Sequence, residues 1–287
     1  MDPIATGSNG LSSSHLLTRS VSEVESRSLA IVIGGMPVRV RTTDPDFLTL
    51  LENRYAGFVS DAEDAEMEFE VDLHSSRFAD PDAEVSVIRH HDRWTLRRGD
   101  FLAEWETAAG RGWIRQTANP YSIDAVLRIV HTLVLAKLGG FLLHSASAIR
   151  NGKAFLLAGA SGAGKTTISR LAPPDATLLT DEISYVRPQG NGYTAFGTPF
   201  TGELAKLGEN VSAPVRALYL LAKGQENRIE AMAPAEATRS LLANILFFAE
   251  DEELVQAVFR STFDFVSRVP VSKLTFVPDA RVWELMG

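Results

Sequence analysis

The sequence predicts a mixed α/β protein in which a small N-terminal α+β region precedes a core built around a phosphate-binding loop. Short β-like runs separated by turns extend from residue 28 to about residue 118, with one helical pattern among them. Further along, a buried-strand pattern at residues 154–158 leads directly into a glycine-rich loop and a helix, the order found in P-loop proteins. We therefore divide the chain into a tail at 1–27, an N-terminal α+β domain at 28–118 and a P-loop domain at 119–287.

The composition is that of an ordinary globular protein and limits the function classes. Of the 287 residues, 45% are hydrophobic and 22% are charged, which is enough to bury a core in one or two domains. The net charge of −8, without any run of Lys or Arg, argues against a nucleic-acid or anionic-membrane binder. Cys is absent, which excludes disulfides and thiolate metal sites and fits a cytoplasmic protein. Residues 1–27 lack the apolar core of a signal peptide, so we expect a flexible tail.

Short apolar and β-branched runs bounded by turn residues predict the strands of the N-terminal domain. These runs lie at residues 29–33, 38–41, 67–73, 85–88, 94–97 and 102–106, with a helix at 45–55. A longer helix is expected at 120–138, where apolar residues recur at helical spacing between Pro120 and Gly139. His131 lies beside this apolar stripe, and we expect it to pack at the edge of the core rather than to bind a ligand.

The second half of the chain is rich in strand patterns and poor in long helical ones. Expected strands lie at 141–149, 154–158, 177–180, 183–187, 193–196, 215–222 and 269–276, and expected helices at 234–248 and 252–266, with a short one from Lys165. A doubly wound nucleotide-binding fold would carry longer helices between these strands. The spacing therefore favours a different P-loop architecture.

Residues 159–166 read GASGAGKT, a complete G-x-x-x-x-G-K-[ST] phosphate-binding motif. Its glycines allow backbone N–H groups to turn inward around an anionic phosphate, and the following helix adds its positive N-terminal end. Lys165 would bind the β- and γ-phosphates of a nucleotide, and the Thr166 hydroxyl would bind the bridging Mg²⁺. The predicted nucleotide-binding residues are Gly159, Ala160, Ser161, Gly162, Ala163, Gly164, Lys165, Thr166 and Thr167.

Two polar segments flank this loop along the chain. The sequence LHSAS at 143–147 lies one strand hairpin ahead of the loop, and LLTDE at 178–182 follows it. In this order, and in the extended loop sequence GASGAGKTT, residues 141–223 resemble the HPr kinase and phosphoenolpyruvate carboxykinase superfamily. The N-terminal domain carries no such resemblance. The resemblance implies a P-loop core of the HPr kinase/phosphoenolpyruvate carboxykinase type, and hence a kinase-like catalytic domain at 119–287.

The resemblance also implies roles for three residues close to the nucleotide. Asp181 would face the γ-phosphate, either binding metal or accepting the proton of an attacking hydroxyl, and Glu182 would share these tasks. The superfamily usually has two Asp residues here, so the division of base and metal ligand between Asp181 and Glu182 stays open. His144 would bind a metal such as Mn²⁺ as a neutral imidazole or, when protonated, would neutralise charge on the transferring phosphoryl group.

Two further residues are candidates by their position in the chain. Glu203 follows a turn-rich segment where HPr kinases carry an acidic substrate-side segment, and it would contact metal or acceptor. Arg216 precedes a strand much as an arginine of the family does, and its guanidinium would stabilise charge on the γ-phosphate. The predicted catalytic residues are therefore Asp181, Lys165, His144 and Arg216, and the predicted metal ligands are Thr166, Asp181, Glu182 and Glu203.

Together these features predict a kinase that uses ATP with Mg²⁺ or Mn²⁺ to phosphorylate a hydroxyl, expected to be a serine of a protein or peptide, with a small-molecule acceptor as the alternative. A non-catalytic ATP-binding regulatory module and a phosphoenolpyruvate carboxykinase-like enzyme are the alternative functions, and an ATPase with a mechanical output is less favoured. Carboxykinases are longer and need a basic pocket that no second Arg-rich segment here provides. The acceptor, the choice of ATP over GTP, reverse dephosphorylation and homo-oligomerisation stay open.

Overall fold

The computed structural model describes residues 26–75, 80–202, 204 and 208–286. Its architecture is mixed α/β, with two mixed sheets connected along the chain by one long helix. Strands between residues 27 and 116 form the first sheet, and strands between residues 141 and 276 form the second. Among the described residues, no helix has both the length and the apolar character needed to cross a lipid bilayer.

The first sheet carries one helix on its core face. Its strands are β1 (Arg27–Ile33), β2 (Met36–Thr42), β3 (Met67–Leu73), β4 (Ser86–His90), β5 (Arg93–Arg98), β6 (Phe101–Glu106) and β7 (Arg111–Gln116), in the sheet order β1-β2-β3-β7-β6-β5-β4. Burial alternates along β2, which places one face of the sheet on the core. Helix α1 (Pro45–Arg54) begins after Asp44, whose side chain accepts a hydrogen bond of 2.8 Å from the Phe47 N–H.

The second part begins with the connecting helix α2 (Pro120–Leu138) and then builds a larger sheet. Its strands are β8 (Phe141–Arg150), β9 (Lys153–Ala158), β10 (Thr177–Thr180), β11 (Ile183–Gln189), β12 (Gly192–Phe196), β13 (Ser212–Lys223), β14 (Arg228–Ala231), β15 (Ile245–Leu246) and β16 (Val271–Phe276). Its other helices are α3 (Lys165–Arg170), α4 (Pro234–Leu242), α5 (Glu252–Arg268) and a short 3-10 helix at Ala280–Leu285.

Two long strands, β8 and β13, pair with different partners along their lengths. Strand β8 pairs with β11 through residues 141–144 and with β9 through residues 145–150. Strand β13 pairs with β12 through residues 212–214 and with β9 from residue 215 onward. Because β11 and β12 form a hairpin, these pairings close a ring of strands in the order β8-β9-β13-β12-β11. Strand β16 adds to β13 in parallel, outside this ring.

Helix α2 shares its hydrophobic contacts between the two sheets. Its N-cap Asn119 accepts a hydrogen bond of 3.0 Å from the Tyr121 N–H, and it ends at Gly139 with a positive φ of 76°. Most of its side chains are buried, and one continuous cluster joins them to side chains of the first sheet and of β8 and β11. The helix therefore fills the core between the sheets rather than lying on the surface.

A buried carboxylate links α2 to α1. Asp124 is 2% exposed, and its Oδ2 accepts hydrogen bonds from Arg54 Nε at 3.1 Å and Nη2 at 2.5 Å. Its Oδ1 accepts a hydrogen bond of 2.6 Å from the Tyr55 hydroxyl. Burial and the adjacent Asp124 carboxylate raise the pKa of Tyr55 well above its usual value, so this hydroxyl remains a donor. Both carboxylate oxygens are thus satisfied, as a buried charge requires.

The structure corrects the predicted bounds of two segments. Strand β1 begins at Arg27, inside the segment expected to be a flexible tail, whose residues 1–25 lie outside the described part of the chain. The helix predicted at 234–248 ends at Leu242, and Ile245–Leu246 instead pairs with β8 as β15. The Asn244 carbonyl accepts a hydrogen bond of 2.8 Å from the His144 N–H. The backbone after Leu242 thus makes its hydrogen bonds with β8 instead of continuing the helix.

Besides β15, two strands in the structure are missing from the sequence prediction. Strand β14 is exposed at every position, and therefore lacks the alternation of buried and exposed residues by which a strand is recognised. Strand β7 contains Gly112, which weakens its strand pattern, yet a Cβ atom there would lie 2.4 Å from the Glu104 carbonyl oxygen. The close approach of β6 explains why glycine occupies this position.

His131 is fully buried in the core and not at its edge. Its ring lies edge-on to Tyr185, with the ring centroids 5.5 Å apart, and neither ring nitrogen has a hydrogen-bond partner. Burial lowers the pKa of His131 from 6.5 to about 3, so the imidazole is neutral in the folded protein. The residue therefore packs as a hydrophobic group.

We expect His131→Leu to make the protein more resistant to acid. Below pH 6.5 the unfolded chain binds a proton at this residue that the folded chain rejects, so the wild type loses stability as the pH falls. From pH 7 to pH 5 the wild type should lose about 2 kcal/mol more unfolding free energy than the variant. Urea denaturation at both pH values measures this, with His90→Gln at an exposed histidine as control. Equal losses in wild type and His131→Leu would contradict the prediction.

Candidate functional site

The glycine-rich loop connects β9 to α3 and needs glycine for steric reasons. Gly164 has a φ of 112°, which favours glycine, and a Cβ atom there would lie 2.6 Å from Phe276 Cζ. The ring of Phe276, at the end of β16, therefore packs directly against the loop. Gly162 also has a positive φ, 75°, at a point where the backbone faces open space. The loop conformation thus depends on glycine at both positions.

Lys165 is the first residue of α3 and is buried, with 8% of its surface exposed. Its Nζ donates a hydrogen bond of 3.0 Å to the Gly159 carbonyl, so the ammonium group lies over the beginning of the loop. The Ala163 N–H donates to the Ala160 carbonyl at 3.0 Å and closes a turn between them. The loop is held by its own backbone and by the lysine.

Strand register brings two other predicted site residues close to this loop. On β8, Ser145 pairs with Ala158, the residue immediately before the loop. The neighbouring His144 pairs with Ile183, the residue immediately after Glu182. His144 Nε2 consequently lies 3.5 Å from Glu182 Oε1. The His144 side chain is 40% exposed and the Glu182 side chain is 34% exposed.

The two adjacent carboxylates occupy different environments. Asp181 is 2% exposed, and its Oδ1 and Oδ2 each accept a hydrogen bond of 2.9 Å, from the N–H groups of Gly202 and Leu204. Glu182 instead faces a cavity beside the loop. Asp181 therefore anchors the backbone of the segment after β12, and Glu182 is the carboxylate available to a bound molecule.

The cavity has a volume of about 460 Å³ and collects most of the predicted site. The loop and the start of α3 contribute Ser161, Gly162, Gly164, Lys165, Thr166 and Thr167. The remaining walls carry His144, Glu182, Arg128, Thr201, Gly202 and Lys223. Basic groups outnumber the one carboxylate, so the cavity suits an anionic ligand.

The cavity environment sets the charge of His144. Burial lowers the pKa of His144, the nearby Lys165 ammonium lowers it further, and Glu182 opposes this shift in part. The imidazole is therefore neutral at neutral pH, and its contact with Glu182 is not an ion pair. A neutral imidazole keeps a nitrogen lone pair that can bind a metal or accept a hydrogen bond.

The structure does not bring Arg216 to this cavity. Its strand β13 runs parallel to β9, and the loop follows the end of β9 that pairs with Leu220. Arg216 lies near the other end of the same pairing and is exposed, several strand residues away from the loop. Lys223, at the far end of β13, is the basic residue of this strand that lines the cavity. Glu203 lies outside the described residues.

Sequence reasoning also missed Arg128. This residue lies within an otherwise apolar stretch of α2, one turn after Asp124, and lines the cavity. A lone charge among apolar residues of a buried helix is the signal that could have indicated it, because such charges are retained only with a partner or a ligand.

A hydrogen-bonded brace connects the N-terminal part to the cavity wall. Arg54, on α1, donates from Nη1 to the Thr201 hydroxyl at 3.1 Å while its other nitrogens bind Asp124. Thr201 lines the cavity and precedes Gly202, whose N–H binds Asp181. The position of this wall therefore depends on α1 as well as on the second sheet.

The oxygen atoms in the cavity fit a magnesium ion that is bound mainly through phosphate. Among the described residues, no group of three or more His, Asp or Glu side chains is arranged to hold a metal by itself. Mg²⁺ next to nucleotide phosphates commonly takes one or two protein oxygens and completes its shell with phosphate oxygens and water. The Thr166 hydroxyl and the Glu182 carboxylate both line the cavity and are the groups suited to this task.

Comparison with known proteins identifies one family. The model of the family described as SynChlorMet cassette protein ScmC matches residues 115–287, which is more than half of the chain and runs from the end of the first sheet to the C-terminus. No curated protein matches. The structure of the Hpr(Ser) kinase/phosphatase from Coxiella burnetii is similar over 47% of this chain and 84% of that one, with 11% identity and a TM-score of 0.25. A similarity at that TM-score supports no further assignment.

We expect Arg54→Ala to destabilise the protein by about 3 kcal/mol, because it leaves the buried Asp124 carboxylate with only the Tyr55 hydroxyl. Urea denaturation measures this change. Arg115→Ala is the matched control: it removes an exposed ion pair with Asp72 and should leave the unfolding free energy nearly unchanged. If both variants show equally small changes, Arg54 does not brace the two parts.

Proposed function

The chain belongs to the family of the SynChlorMet cassette protein ScmC. We propose, from the residues that line its cavity, that this member is an ATP-dependent kinase that phosphorylates a hydroxyl group. The acceptor is a protein or peptide serine or a small hydroxylated molecule. ATP and Mg²⁺ are the proposed cofactors, and the need for ATP sets the cytoplasm as the proposed location. The order of the motifs, which resembles that of the HPr kinase and phosphoenolpyruvate carboxykinase superfamily, supports this reading.

The observation that carries the proposal is the joint position of Lys165, Thr166, His144 and Glu182 on one cavity. Residues 165 and 166 end a complete phosphate-binding motif, whereas the other two come from β8 and from the turn before β11. A glycine-rich turn with only a structural role would not need a neutral imidazole and a carboxylate beside it. Phosphoryl transfer needs both phosphate binding and a proton acceptor, and this cavity offers the residues for each.

In the proposed reaction the loop N–H groups and Lys165 bind the β- and γ-phosphates. Bound Mg²⁺, held by Thr166 and Glu182, would neutralise charge on the phosphates. Glu182 or the adjacent His144 accepts the proton of the attacking hydroxyl, whose oxygen bonds to the γ-phosphorus as the bond to the β-phosphate oxygen breaks and ADP leaves. Asp181 holds the backbone of Gly202 and Leu204 through its two hydrogen bonds and so shapes the acceptor side.

One observation favours a second function, that of a regulatory module which binds ATP without transferring phosphate. Asp181, which the resemblance assigns to the γ-phosphate, has both carboxylate oxygens occupied by backbone N–H groups. A kinase that relied on Asp181 would have to use the lone pairs that these two bonds leave, on a side chain that is 2% exposed. If the protein is a kinase, the wild type transfers phosphate and a change of Glu182 or His144 abolishes this turnover. If it is a regulatory module, the wild type itself shows no turnover.

We expect Lys165→Met to weaken ATP binding about tenfold or more, because it removes a charge-assisted contact to phosphate. Glu182→Gln should weaken ATP binding much less than Lys165→Met does and should reduce phosphoryl transfer about 100-fold or more, because it removes a proton acceptor and a metal ligand. Calorimetry measures binding, and transfer of label from γ-labelled ATP to the macromolecular and small-molecule fractions of a cell extract measures turnover.

The matched control for both variants is Arg216→Ala, since Arg216 is exposed and remote from the cavity. It should bind ATP and transfer phosphate like the wild type. Tight ATP binding by the wild type without labelling of either fraction would replace the kinase with the regulatory module. Equal ATP affinity of the wild type and Lys165→Met would reject both functions.

A further inference from the structure

Arg128 lies in α2 and lines the cavity, and within the part of the chain that the structure describes it forms no ion pair. Its guanidinium stacks over the Phe200 ring, with Cζ 4.9 Å from the ring centroid. Its Nε is buried and has no hydrogen-bond partner, and within the described residues no carboxylate lies within ion-pair distance. Two other largely buried arginines differ in this respect, because Arg54 pairs with Asp124 and Arg98 pairs with Asp100, both at 2.5 Å.

The energetics of burial make this arrangement costly unless a ligand completes it. A buried charge without an ion pair loses its hydration and regains only part of that free energy from more distant charges. Burial lowers the pKa of Arg128, and the carboxylates of Asp124 and Glu182 offset this shift only in part. A guanidinium nevertheless stays charged at any physiological pH. The buried guanidinium therefore lowers the stability of the folded protein. It lines the same cavity as Lys165.

The surroundings of Arg128 specify the kind of ligand. Because Phe200 covers one face of the guanidinium and Nε is buried, the Nη donors in its plane are the groups left for recognition. A planar fork of donors matches the tetrahedral oxygens of phosphate in a bidentate manner. Lys223 lies on the same cavity, so the two side chains together can balance a dianion.

We propose that Arg128 forms a phosphoryl-binding subsite on the α2 wall of the cavity, separate from the phosphate-binding loop. Its ligand is either the terminal phosphoryl group of the bound nucleotide or a phosphate carried by the acceptor. The subsite adds a phosphoryl-binding residue to the proposed kinase site. It rests on the proposed function only for the identity of the nucleotide. It assigns to Arg128 the charge-stabilising role that the sequence analysis predicts for Arg216.

Arg128→Gln and Arg128→Lys test the subsite, because glutamine removes the charge and lysine keeps the charge without the fork. The matched control is Arg187→Gln, which removes another arginine stacked on a phenylalanine, 4.6 Å from the Phe196 centroid, away from the cavity. The probes are ATP, ADP, inorganic triphosphate, and inorganic phosphate added to the ADP complex, with dissociation constants from calorimetry.

If Arg128 binds the terminal phosphoryl group, Arg128→Gln should weaken ATP and triphosphate binding about tenfold and leave ADP binding unchanged, with Arg128→Lys in between. If the anion belongs to the acceptor, ATP and ADP affinities stay as in the wild type, and only phosphate binding to the ADP complex is lost. The control should bind every probe like the wild type.

The subsite is refuted if Arg128→Gln binds all four probes like the wild type, or if it weakens ADP as much as ATP. It is refuted as well if the wild type binds none of the four probes. Failure of the kinase proposal gives a different result. In that case Arg128-dependent binding of triphosphate or phosphate persists, while the wild type transfers no label from ATP.

Discussion

The ion pair between Asp124 and Arg54 is the interaction on which the rest of the structure depends. It neutralises a carboxylate inside α2, and without it this helix would bury a bare charge between the two sheets. Because Arg54 belongs to α1, the same pair holds the N-terminal sheet to the second part. The third bond of Arg54, to Thr201, extends this constraint to the wall of the cavity.

Patterns that are local in sequence predict much of the fold. Strand β3 and helix α2 have the bounds that the pattern predicts, because both bury one consistent set of side chains and α2 has clear caps. The early end of α4 could not be predicted in this way. Residues after Leu242 have a helical pattern, but the edge of β8 offers their backbone hydrogen bonds from another part of the chain. Pairing of this kind is set by tertiary structure.

The same distinction applies to the candidate site. Lys165 and Thr166 follow from a contiguous motif, and the flanking His144 and Glu182 prove to share its cavity because two strand registers align them. Arg216 was inferred from its position along the chain, which says nothing about the end of a strand at which a side chain lies. The sequence does not predict a site role for Arg128, because a charged residue in a helix usually lies on the face exposed to solvent. In this protein that part of α2 faces the cavity.

The contact of Phe276 with Gly164 links the loop to a strand more than 100 residues later in the chain. During synthesis the GASGAGKT segment leaves the ribosome long before β13 and β16, the strands that support β9 and close over the loop. A nascent or truncated chain ending before residue 276 would therefore carry an intact motif without its finished cavity. Ligand binding would then begin only after β16 has been synthesised, and the motif alone would be a poor guide to which fragments are functional.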